Sequence, residues 1–134
     1  SLRNYELLNS IKGIGTINAM NTIIHTNNFQ AFETARQYAC YLGIAPFEHS
    51  SGTSIKGKTR VYPTGAKLLK ADLSQAANSA IVWDKEMKEY YERKRKEGKA
   101  YGVVLNAVKF KLVGRMFAVV KRGTPFVELM TYKK

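Results

Sequence analysis

An all-α fold is what this sequence predicts, and three observations carry the prediction. Apolar residues recur at three- and four-residue spacing through most of the chain. Glycine, proline or paired asparagine punctuates the ends of those runs. Only one stretch, roughly Phe47 to Pro63, lacks helical periodicity, so a compact helical domain interrupted by one basic loop is the expected architecture.

In chain order, Tyr5 to Ile11 has a short helical pattern that Lys12-Gly13-Ile14-Gly15 breaks. A second helix is expected from Thr16, whose hydroxyl suits a cap, with Ile17, Met20, Ile23 and Ile24 turned inward and Asn27-Asn28 at its end. From Gln30 to Leu42, Phe32, Ala35, Ala39 and Leu42 keep helical spacing until Gly43 and Pro46 stop it. The loop that follows is rich in Ser, Thr, Gly and Lys, and Ile55 to Tyr62 is compatible with a short β-hairpin around Gly57. After Pro63-Thr64-Gly65, Leu69, Leu73, Ala76 and Ala80 hold one apolar stripe for about four turns. Asp84 to Lys96 reads as a charged helix with Met87, Tyr90 and Tyr91 on its apolar side, closed by Gly98. The last helix, Tyr101 to Lys121, is apolar on nearly every side and so belongs at the centre of the domain.

The 134 residues suit one domain, residues 1–134, and 45% hydrophobic content suffices for a core. Twenty-two Lys plus Arg against 10 Asp plus Glu leave a net charge of +12, which points to a polyanionic partner, nucleic acid first. No run approaches the roughly 20 apolar residues that span a bilayer, and no signal-peptide pattern opens the chain. The lone Cys40, among Tyr38, Ala39, Tyr41 and Leu42, reads as a buried thiol in a reducing cytoplasm. A start at Ser1 without methionine suggests a piece of something longer.

Two segments could carry chemistry. Leu8 to Ala19 has the layout of a helix-hairpin-helix over residues 5–25, in which Gly13, Ile14, Gly15 and Thr16 would offer backbone N–H groups and a helix dipole to a phosphate. A plain tight turn explains the same residues. Glu48-His49-Ser50-Ser51-Gly52, followed by Lys56, Lys58 and Arg60, places hydroxyls beside a base and cations that would stabilise charge on an attacked phosphate. Without context such a loop is a polar turn. Two aspartates, Asp72 and Asp84, do not make a two-metal centre, and two histidines with one cysteine do not make a zinc site. Arg93-Lys94-Arg95-Lys96 with Lys99 reads as a solvated helix end. Lys111 and Arg115, an i,i+4 pair on the otherwise apolar last helix, must reach a partner or a cleft, and a phosphate-holding groove is expected there.

Taken in order, Ile11-Lys12-Gly13-Ile14-Gly15, Phe32 to Gln37, Gly43-Ile44-Ala45-Pro46, Ser50-Ser51-Gly52, Leu73 to Ala77 and Tyr91 to Arg95 through Gly98-Lys99 resemble the C-terminal domain of the insertion-sequence one-ten/one-sixteen transposases, relatives of the Piv DNA invertase. The likeness runs from about Leu7 to Lys121. It implies DNA transposition guided by a structured RNA. It implies a preceding RuvC-like domain with four acidic residues that holds magnesium, none being expected in this chain, and assembly as a homo-oligomer. It also implies that the serine before the glycine, Ser51, attacks DNA to form a phosphoserine link, that Lys111 stands at a lysine position of the family, and that this piece alone is inactive. Two departures stand out: Lys12 replaces the family's proline before Gly13, and Tyr62 to Ala66 replace its Lys-x-Gly-Asn after the loop.

Overall fold

The computed structural model describes residues 2–44 and 63–127. Within them the chain forms six helices and no strand: α1 Leu2–Asn9, α2 Thr16–His25, α3 Ala35–Leu42, α4 Pro63–Trp83, α5 Lys85–Lys96 and α6 Tyr101–Arg122. The all-α class is therefore as predicted. The hairpin expected over Ile55 to Tyr62 lies outside the described residues.

Helix α6 is the centre. It packs against α1, α3, α4 and α5, and Val104, Val108, Leu112, Val113, Met116 and Val119 on it are all but inaccessible to solvent. Helix α4 supplies the facing stripe, with Leu69, Leu73, Ala76, Ala77 and Ala80 buried, the four predicted positions among them. Its first residue is Pro63, whose fixed φ suits the opening turn of a helix. Local chemistry sets the other ends. Thr34 and Gln37 form a reciprocal capping box at α3, so that helix starts at Ala35 rather than near Gln30. Gly43 (φ 75°) and Gly123 (φ 75°) end α3 and α6 in the left-handed conformation.

Between α2 and α3, Asn27, Asn28 and Phe29 are all left-handed, with φ of 55°, 57° and 69°. Such backbone costs roughly 1–2 kcal/mol per residue, so something must hold it. The Phe29 N–H donates to Thr26 Oγ1 (2.9 Å) and the Asn28 N–H to Ile23 O (2.7 Å). The Phe29 ring meets Phe117 edge-on at 5.0 Å.

Helix α2 departs most from expectation. Ile17, Met20 and Ile24 face outward, 68%, 47% and 59% exposed, and Asn18, Ala19 and Thr22 are buried instead. The inner polar groups are all engaged. Asn18 Nδ2 donates to Asp72 O and Asn21 Nδ2 to Asp72 Oδ2, each at 2.8 Å, while Thr22 hydrogen-bonds the Tyr38 phenol. A small, hydrogen-bonded face lets α2 lie on α4 where isoleucines would hold it off. Thr16 is the first residue of α2 rather than its cap; Gly15 occupies the cap position with no side-chain bond, and Thr16 Oγ1 accepts from the Tyr5 hydroxyl at 3.2 Å. Cys40 is exposed, not buried, because Tyr38, Ala39 and Leu42 take the inner face of α3.

Two tests follow from this packing. Gly13 has φ +98°, and a Cβ there would meet Ala76 O at 2.7 Å, so Gly13→Ala should destabilise the chain by roughly 1–3 kcal/mol in thermal or urea unfolding. Burial holds the Tyr38 phenol well above its ordinary pKa of 10.0. Tyr38 therefore keeps its proton in the fold while the unfolded chain loses it above pH 10, and stability should fall from there by up to about 1.4 kcal/mol per pH unit. Tyr38→Phe should remove that share of the alkaline loss in urea titrations at stepped pH.

Candidate nucleic-acid interface

The turn between α1 and α2 rests directly on α4, since only a missing side chain at Gly13 permits the approach to Ala76 O. Ile14 is buried and its N–H is spent on Ile11 O (3.0 Å), so neither its side chain nor its amide faces outward. Gly15 and Thr16 are exposed at the start of α2, whose first turn carries no acidic residue and no side-chain cap. Of the four predicted turn residues, then, two stand at an open helix N-terminus, and two belong to the frame that holds it.

Lys111 and Arg115 do not act together. Arg115 donates from Nη1 to Asp84 Oδ2 and from Nη2 to Glu86 Oε1, both at 2.8 Å. Asp84 is fully buried, and its other carboxylate oxygen accepts the Met87 N–H as the cap of α5. The partner that Arg115 requires is thus inside the protein. Lys111 is exposed, with its Nζ 4.6 Å from the centroid of the Tyr90 ring, and Arg93 lies 5.4 Å from the same ring. The shallow cleft around them also contains Glu86 and Glu89, so it is of mixed sign. Along the end of α5, Lys94 pairs with Glu97 at 3.3 Å and Arg95 donates to Lys99 O, which fits the solvated helix end expected there.

A different pair emerges on the other side of α6. Lys109 falls in line with Leu105, Leu112 and Met116 in the buried stripe and is only 9% exposed. Burial, and secondly repulsion from Lys70 of α4, hold its pKa below the usual lysine value. The Lys70 ammonium lies 3.8 Å from where a Cβ on Gly43 would sit, at the end of α3. The i−4, i+3 and i+7 register of Lys109 with three core residues was the signal in the sequence that could have marked it.

Ser50, Ser51, His49, Lys56, Lys58 and Arg60 lie outside the described residues. The described chain stops at Ile44 and resumes at Pro63, and the elements on either side are held together: the Tyr41 phenol accepts a hydrogen bond from the Ala66 backbone, and Lys70 reaches Gly43. Among the described residues no three His, Cys, Asp or Glu side chains come together to hold a metal ion, and no helix is long and apolar enough to cross a membrane.

The described residues thus form a basic, all-α domain with an open helix N-terminus. Comparison with known proteins is more specific. Residues 5–92 match the model of the "Transposase IS116/IS110/IS902 family", and the chain belongs to that family. It is 30% identical over 118 residues to the "Insertion element IS110 uncharacterized 43.6 kDa protein" of Streptomyces coelicolor, covering 88% of this chain and 29% of that protein. It is 27% identical to the "Pilin gene-inverting protein" of Moraxella bovis, covering 90% and 38%, and 28% identical to that of Moraxella lacunata, covering 92% and 39%. The chain thus spans well under half the length of these relatives.

The Arg115 assignment has a direct test. Arg115→Leu leaves the Asp84 carboxylate buried beside a missing cation and should cost about 3 kcal/mol in urea unfolding. Lys111→Met, at an exposed position, should change stability by less than about 0.5 kcal/mol.

Proposed function

We propose that this chain is the nucleophile-bearing, DNA-binding portion of a DNA transposase or invertase, with Ser51 as the attacking residue. The family match carries this reading, because residues 5–92 include Ser51 and the loop cations. The names of the relatives, an insertion element and a gene-inverting protein, both refer to rearranged DNA. A net charge of +12 suits the substrate.

In the proposed chemistry Ser51 Oγ attacks a backbone phosphorus. A serine–phosphate ester forms, the bond to one deoxyribose oxygen breaks, and that oxygen leaves as a hydroxyl once protonated. Lys56, Lys58, Arg60 and Lys111 are the proposed phosphate contacts, since cations stabilise the charge that grows on the phosphoryl oxygens. Gly15 and Thr16 anchor a second phosphate at the open end of α2 without reading sequence, with Gly13 and Ile14 setting their position. Arg115 is assigned to the frame, because two carboxylates already hold it. The acidic RuvC-like domain with its magnesium, the structured guide RNA and a homo-oligomeric assembly, all implied by the family resemblance, complete the proposal. The described residues offer no ligand set of their own for the metal.

The experiment uses the complete transposase with its nucleic-acid partners, and a denaturing gel scanned for a covalent protein–DNA adduct. Wild type and Ser50→Ala should give the adduct and Ser51→Ala should lose it. An adduct that survives Ser51→Ala would remove the nucleophile from this loop and leave a non-catalytic nucleic-acid-binding module.

A further inference from the structure

Five polar or charged residues are buried among the described ones, and four of them are satisfied inside the protein. Asn18 donates to Asp72 O, Thr22 meets the Tyr38 phenol, Thr26 bonds Thr22 O, and Asp84 holds Arg115 and the Met87 N–H. Lys109 is the exception. No carboxylate among the described residues pairs with it: Asp84 and Glu86 are held by Arg115, and Asp72 is turned to Asn21.

The charged group that acts on it is instead another cation. Lys70 reaches toward the end of α3, where the terminal carbonyls favour an ammonium, and is near enough to Lys109 for the two charges to repel. Lys109 keeps 9% of its surface exposed, so it is enclosed by the helices without being sealed from solvent. Two lysines on different helices, one of them fixed by packing and neither paired with a carboxylate among the described residues, make a local concentration of positive charge. Such an arrangement lowers stability while empty and is relieved by an anion.

We propose that Lys109 and Lys70 form an anion subsite that takes one backbone phosphodiester of DNA. The choice of DNA rests on the function proposed above; the anion site itself does not. The subsite sits beside Gly43 and the first turns of α4, where the described chain stops and resumes around the segment that carries Ser51. A phosphate bound here would be next to Gly43, one residue from where the described chain stops. Lys111, two residues on, points instead to the Tyr90 ring.

The test titrates the 134-residue chain with a mixed-sequence DNA duplex over a range of salt, and separately with inorganic phosphate while following the lysine side-chain NMR signals. Lys109→Met and Lys70→Met should each weaken duplex binding about tenfold, the loss expected for one charged hydrogen bond. Each should also lower the log–log salt slope by about 0.9. Lys88→Met, which removes an exposed charge already paired with Glu92, should do neither. Lys109→Met should in addition melt at a higher temperature than wild type, so that weaker binding cannot come from unfolding. Lys70 is exposed, and its variant decides the matter if Lys109→Met does not fold. Duplex binding by Lys109→Met and Lys70→Met that matches Lys88→Met overturns the subsite and leaves the proposed function standing. Failure of wild type to bind duplex, with Lys109 and Lys70 signals still shifted by phosphate, supports the anion site and overturns its assignment to DNA.

Discussion

The Asp84 carboxylate is the point at which the corner between α4 and α5 is tied to the central helix. One oxygen caps α5 through the Met87 N–H, and the other receives Arg115 from α6, with the residue fully buried. A single side chain therefore fixes where α4 ends, where α5 starts and how both lie against the central helix. Burying a carboxylate is costly unless each lone pair finds a donor. Here the cap and the guanidinium supply them, and Glu86 at the edge steadies the second arm of the same arginine. The ion pair ties the orientation of the corner to two particular residues, where apolar packing alone would tolerate a range of angles.

Much of the fold was legible because local and tertiary demands agree in most helices. Leu69, Leu73, Ala76 and Ala80 are inward on α4, Gly43 does stop α3, and α6 is at the centre. Helix α2 could not be read by hydropathy. Its isoleucines are the conspicuous residues, and only the presence of Asp72 and Tyr38 from distant parts of the chain makes Asn18, Asn21 and Thr22 the buried or half-buried face. Cys40 was misplaced for a related reason: apolar neighbours in sequence are not neighbours on a helix, and α3 turns Cys40 away from Ala39.

The candidate site was legible in part. The Gly13 to Thr16 segment does form a turn into a helix N-terminus, yet Gly13 is needed first for contact with α4. Arg115 and Lys111 stood out as charges on an apolar helix for which a phosphate-holding groove was expected; among the described residues Arg115 meets two carboxylates and Lys111 lies over a tyrosine ring. Lys109 escaped notice because attention went to Lys111 and Arg115, the i,i+4 pair, although its own register with Leu105, Leu112 and Met116 was there to be read.

The inverted burial of α2 has a consequence for how this helix tolerates change. Its greasy residues Ile17, Met20 and Ile24 lie on the surface, where many side chains would serve the fold equally well, whereas Asn18 and Thr22 are matched to single acceptors and donors. A hydrogen-bonded face also fixes register: a slip of α2 by one turn along α4 would strand the Asn18 amide, where a purely oily contact would reform. The helix works as a key cut in polar notches, and its alignment sets the position of the glycine turn at its head.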